Sequence, residues 1–172
     1  MNQRSVAFVR GINVGGRRIT GPELVAIAAI AGVDGARSYQ ASGNLVFDTP
    51  VPGDAVELRL SDAFAEARGW DVDVFVRSLG DLDAIVTRFP FSPDELAARG
   101  KPQVGFAHSP IDISGLTVER DLVATCGTEV YWVPHTGVSD ADLDMADFSG
   151  LARPVTFRTL GTIERIITKF GS

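Results

Sequence analysis

Two tandem βαββαβ units with antiparallel sheets, closed by a C-terminal helix, are the α+β architecture that this sequence predicts. Three observations carry the expectation. Over residues 1–78, strand-like and helix-like segments follow the order strand, helix, strand, strand, helix, strand, that of a ferredoxin-like unit. After residue 100 a looser version of the same order recurs. The 172 residues, 45% of them hydrophobic, can build a core without metal or disulfide support.

Each element has its own signal. Ser5 to Arg10 is a mostly apolar strand run, and the glycine-rich loop Gly11-Ile-Asn-Val-Gly-Gly16 follows it. Thr20 opens a helix, with Pro22 in the first turn and Glu23 completing a capping box. Leu24, Ile27, Ala28 and Ala31 form its buried stripe, and Gly32 ends it. Arg37 to Gln40 and Leu45 to Asp48 are β-prone runs around Ala41-Ser-Gly-Asn44, small residues that predict a hairpin. Asp54 and Glu57 read as a second capping pair. They precede a helical stripe of Val56, Leu60, Ala63, Phe64 and Ala67 that stops at Gly69. Val72, Val74 and Val76 then alternate with Asp73, Phe75 and Arg77, the period of a strand with two unequal faces.

Helix starts at Ser78 and at Ser92-Pro-Asp-Glu95 make residues 79–100 a helical connection. The second unit, residues 101–172, has strand runs at 103–107, 122–126 and 129–133, the last two joined through Gly127-Thr128. Ser139 with Asp142 reads as the cap of a further helix. Residues 155–158 are the closing strand, and the last helix runs from Thr162 to Phe170. Only the short stretch 112–118 stands where the repeat would put its first helix. No low-complexity tract or linker separates the halves, so they are expected to pack as one compact unit.

Composition excludes several function classes. The single cysteine, Cys126, allows no intramolecular disulfide framework. The longest apolar run, Leu24 to Ala31, is far shorter than the roughly 20 residues of a membrane span. No signal-peptide pattern opens the sequence, so the expectation is a cytoplasmic protein with no membrane partner. A net charge of −6 argues against general nucleic-acid binding. That average hides a pattern: residues 1–22 sum to +4, residues 153–172 to +3, and the body between them to −13. Fourteen of the sixteen cations are arginine, a bias for which codon usage is the plain cause.

The basic ends hold the candidate chemistry. In Arg10-Gly-Ile-Asn-Val-Gly-Gly-Arg-Arg18, glycines can turn successive backbone amides toward an anion, and the arginines add charge. The spacing fits neither a Walker A loop nor the dinucleotide fingerprint, and a glycine-rich strand-to-helix connection is the plainer reading. In Tyr39-Gln-Ala-Ser-Gly-Asn44, Ser42 and Asn44 can stabilise a turn or offer polar groups to a ligand beside the first loop. Ser42 is not in a nucleophile elbow, so a serine hydrolase is a poor reading. Arg158, at the end of the closing strand, and Thr162, at the start of the last helix, form a third candidate.

Other reactive residues point away from chemistry. Asp140, Asp142, Asp144 and Asp147 begin like a calcium loop, but Met145 and Leu151 stand where glycine and glutamate are needed. A solvated helix face is the reading for that run. His108 and His135 lack metal-ligand spacing and read as exposed strand-end residues, and Cys126 as a small buried hydrophobe. Phe8, Phe47, Phe75, Phe106 and Phe157, one on each of five strands, read as core. No residue set calls for a metal or a cofactor.

The segments Arg10-Gly-Ile-Asn-Val-Gly-Gly16, Tyr39-x-x-Ser-Gly-Asn-Leu-Val-Phe47 and Arg158 with Thr162 resemble the bacterial domain-of-unknown-function family 1697 (DUF1697). The resemblance spans the chain, strong over residues 5–78 and weaker after 100. It implies a duplicated ferredoxin-like architecture and no established activity. It also implies departures: relatives carry asparagines where this chain has Thr159 and Gly161, and a basic segment where it has Ser139-Asp-Ala-Asp142.

The functional expectation is a domain that binds a small anion, a phosphate or nucleotide-like group. Arg10 and Arg158 would clamp it if their strand ends converge. Asn13, Gly15, Gly16 and Arg17 would supply donors, and Ser42, Asn44 and Thr162 the wall. The alternative is an interaction or structural module with no small-molecule site, self-association included. No nucleophile–base pair stands out, so an enzyme is the last reading.

Overall fold

The computed structural model of the chain describes residues 2–151 and 154–171. The chain divides into two compact units: Met1–Leu82 with Phe170–Ser172, and Asp83–Lys169. Each carries a four-stranded antiparallel sheet with its own helices.

In the first unit, β1 (Gln3–Val9), α1 (Gly21–Ile30), β2 (Arg37–Tyr39), β3 (Asn44–Thr49), α2 (Gly53–Arg68) and β4 (Val74–Ser78) give the sheet order β2-β3-β1-β4. Antiparallel pairing sets Val6 opposite Val46 and Ala7 opposite Val76. Alternate strand residues Ala7, Val9, Leu45, Phe47, Val74 and Val76 pack in one core with Leu24, Ile27 and Ala28 of α1 and Val56, Leu60 and Phe64 of α2. Burying each of the larger of these side chains contributes about 2 kcal/mol against the entropy of ordering it.

Local chemistry sets the ends. Thr20 and Glu23 form the expected capping box at α1. Gly69 closes α2 in the left-handed region at φ 63°. Asp54 and Glu57 do not cap α2. Its N-cap is Pro52, with no side-chain bond, and Glu57 instead accepts from the Val76 amide of β4 at 2.7 Å. Ala67, expected on the buried stripe, is exposed.

The second unit repeats the topology. It begins with most of α3 (Leu79–Thr87) and α4 (Pro93–Leu96), whose starts are fixed by Ser78 with Asp81 and by Ser92 with Glu95. β5 (Gln103–Phe106), β6 (Leu122–Cys126), β7 (Glu129–Val133), α5 (Met145–Gly150) and β8 (Thr156–Thr159) follow. The order β6-β7-β5-β8 matches the first sheet strand for strand. Among the described residues, no helix stands between β5 and β6, where the repeat would put its first. Ile113, Leu116 and Val118, from the loop that replaces it, pack on the cluster of Val130, Trp132, Phe148 and Phe157. Trp132 lies 5.4 Å from Phe148 and 5.6 Å from Phe157, ring centre to ring centre.

Two expected caps are misplaced in this unit. Asp144 with Asp147, not Ser139 with Asp142, caps α5, and Val138–Asp140 is a 3-10 turn. The last helix, α6 (Leu160–Phe170), begins two residues before Thr162, and the Thr159 hydroxyl accepts from the Thr162 amide. Its final residue, Phe170, joins the first unit: Tyr39 meets it edge-on at 5.7 Å, Arg37 lies 5.0 Å over its ring, and Arg4 donates to its carbonyl.

Candidate functional site

The loop between β1 and α1 turns on four positive-φ residues, Gly11 (76°), Asn13 (56°), Gly15 (56°) and Gly16 (87°). Asn13 holds it in shape. Its Nδ2 donates to the Ala41 carbonyl at 2.6 Å, and its Oδ1 accepts from the Ile19 amide at 2.9 Å. Gly43 lets the hairpin approach: a Cβ there would lie 2.8 Å from Ile12 Cδ1. The loop's own bonds run from the amides of Asn13, Arg17 and Arg18. Among the described residues, no acceptor meets the amides of Val14, Gly15 and Gly16.

These residues line an open groove of about 480 Å³ together with Arg18, Ile19, Thr20 and Glu23. Arg18 forms no ion pair among the described residues. Glu23 is committed elsewhere. It accepts from the Thr20 amide and hydroxyl and pairs with Arg68, which together hold its carboxyl down at about 2. Arg10 and Arg17 are turned to structure: Arg10 pairs with Asp73 at 3.3 Å, and Arg17 donates to the Asp71 carbonyl with Trp70 beneath it.

Asn44 is fully buried and donates to the Tyr39 carbonyl and to Ser42 Oγ, so both side chains stabilise the hairpin turn. Asn13 brings that hairpin to the first loop. In the other unit, Arg158 is 9% exposed and donates to Thr156 Oγ1 and the Phe157 carbonyl. Burial lowers its guanidinium to about 10. The Thr162 hydroxyl is engaged by Thr159 and Arg165.

A second polar cluster lies at the mouth of β6. Asp121 is enclosed: Oδ2 accepts from Trp132 Nε1 and from the amides of Asp142 and Leu143, and Oδ1 from the His135 amide. Burial pushes its carboxyl up, and these donors outweigh it, leaving the group below the ordinary range. Asp142 Oδ2 gathers the amides of Glu119, Arg120 and Asp121, while Oδ1 takes the Arg120 guanidinium at 2.8 Å. Those bonds hold Asp142 far below the usual carboxylate range. Arg120 also reaches His135 Nε2 at 2.8 Å. A guanidinium only donates, so Nε2 accepts and the ring proton is assigned to Nδ1, 3.3 Å from Asp121 Oδ1.

Asp121, His135 and Asp142 bring one ligand atom each within 4.8 Å of the others, a spacing open to a metal. Protein donors already occupy those atoms, so a cation would have to displace the bonds that hold the β6 lead-in.

The model of a family of proteins of unknown function matches residues 1–121, which include the glycine-rich loop and the hairpin. The chain belongs to the DUF1697 family. The fold of this DUF1697 protein is similar to the solved structure of a conserved bacterial protein from Streptococcus pneumoniae. The TM-score is 0.77 at 18% identity, and each chain is covered in full. No curated protein matches the sequence.

Sequence reasoning about this DUF1697 protein missed the Asp121–His135–Arg120–Asp142 cluster. His135 reads as an exposed strand end and Asp142 as a solvated or capping acid. The available signal was Asp121 itself, a charge directly before the apolar strand Leu122–Cys126. Cys126, expected to be buried, is half-buried with Arg88 3.8 Å from its sulfur.

Proposed function

We propose that this DUF1697 protein binds a small anion, a phosphate or nucleotide-like group, at the loop between β1 and α1. The carrying observation is the run of three groove-lining amides, Val14 to Gly16, that meet no acceptor among the described residues. Successive amides on a loop with positive-φ residues are an anion-binding arrangement. Arg18 supplies an uncommitted charge beside them. Arg10 and Arg17, held by Asp73 and by the Asp71 carbonyl, add to the local potential. Residues 1–22 carry no acid, and the one carboxylate lining the groove, Glu23, is balanced by Arg68. Asn13, Ser42 and Asn44 act by holding the loop and hairpin in place. The reading rests on the first unit alone; Arg158 and Thr162 are not needed for it.

Calorimetric titration with inorganic phosphate and with nucleotides tests it. The expected result is saturable binding that weakens as salt is raised. Losing a charge-assisted contact in Arg18→Ala should weaken it about ten-fold. No heat with any of these anions, or an Arg18→Ala chain that binds as well as the parent, would overturn the reading.

A further inference from the structure

The two sheets have four edge strands, and one differs from the rest. β2 and β4 each carry an arginine within the strand, Arg37 and Arg77, while β8 is only four residues long, with Arg158 buried and donating to the Phe157 carbonyl of its own strand. β2 is only three residues long and is flanked by Phe170. β4 has its Val76 amide capped by Glu57. Charges, short length and side-chain caps are the devices by which edge strands avoid pairing with other chains.

β6 has none of them. Leu122-Val-Ala-Thr-Cys126 contains no charge, proline or glycine, pairs with β7 alone among the described residues, and is half-buried with Thr125 exposed. Beyond the β7 ladder, its backbone meets no partner among the described residues. Its start is tied down by the bonds of Asp121 to Asp142 and Trp132.

We infer that β6 is a pairing edge, and that its occupant is β6 of a second copy of this chain, added antiparallel about a two-fold axis at Ala124. The sequence suits that operation. The two-fold sets Ala124 opposite its own copy, Val123 opposite Thr125, and Leu122 opposite Cys126. Small and apolar side chains meet one another, and no like charges are brought together. The pairing joins two four-stranded sheets into one of eight strands and satisfies the outward amides and carbonyls of both copies. The Cys126 thiols lie at opposite ends of the paired strands, so the dimer does not depend on a disulfide. This association is independent of the anion site, which sits in the other unit.

Sedimentation of the full chain over a rising concentration series tests the inference. The parent should shift toward twice the 18.3 kDa chain mass. Thr125→Lys, a gatekeeper charge at an exposed position, should abolish the shift with an unchanged circular dichroism spectrum. In a Cys126→Ser background, Ala124→Cys should form a covalent dimer under mild oxidation. It should do so at least ~10-fold faster than Leu58→Cys, on the exposed face of α2, because pairing raises the effective thiol concentration. A chain that stays monomeric, a dimer that Thr125→Lys leaves intact, or Ala124→Cys that links no faster than Leu58→Cys would each overturn it.

Discussion

The glycine-rich loop of the first unit and the Asp121–Asp142 cluster of the second are both polar and both lie beside the first helix position of a βαββαβ repeat, yet they spend their hydrogen bonds differently. In the second unit, Asp121 and Asp142 take donors from Trp132, Arg120 and several backbone amides. In the first, Asn13 staples the loop, while three consecutive amides and Arg18 are uncommitted among the described residues. The repeat explains the contrast. Where α1 is present, helix packing holds the first unit and the loop's polar groups can be spared. Where the helix is absent, the carboxylates anchor the β6 lead-in and nothing is spared. A crowded polar cluster is therefore the structural one, and the underused cluster is the candidate site.

The largest expected effect falls on the structural cluster. Asp121→Ala leaves Trp132 Nε1 and the Leu143 amide buried without acceptors, and should destabilise the protein by about 3 kcal/mol in urea unfolding. Gly43→Ala comes next. Its φ of 76° is unfavourable to a side chain, and the new Cβ would crowd Ile12 and the Val9 carbonyl, at a cost of about 2 kcal/mol. Acid should separate the clusters further. The folded-state depression of Asp142 means that its contribution is complete above the ordinary aspartate value, about 3.9, and is lost as pH falls below it. The gap in urea midpoint between the parent and Asp142→Asn should thus be widest near neutral pH and close in acid. The smallest effect belongs to the loop: Arg18→Ala should change stability by less than about 0.5 kcal/mol while weakening anion binding.

The same contrast shows what was legible in the sequence. Elements built from local chemistry were readable: Thr20, Pro22 and Glu23 at α1, Gly69 ending α2, and the valine alternation of β4. Carboxylates whose partners are distant in sequence were not. Glu57 looks like a capping residue until β4 brings the Val76 amide to it, and Asp142 looks solvated until residues 119–121 fold against it. For the glycine-rich loop, the sequence showed the glycines and arginines. It could not show that Arg10 and Arg17 are held by Asp73 and the Asp71 carbonyl while Arg18 is spared.

The central claim is that the underused loop, and not the crowded cluster, receives an anion. Amide-resolved NMR during a titration with inorganic phosphate tests it most directly. The account predicts saturable shifts of the Val14, Gly15 and Gly16 amides, with those of Arg120, Asp121 and Leu143 unmoved. Loop amides that do not respond, or shifts of equal size at both clusters, would contradict it.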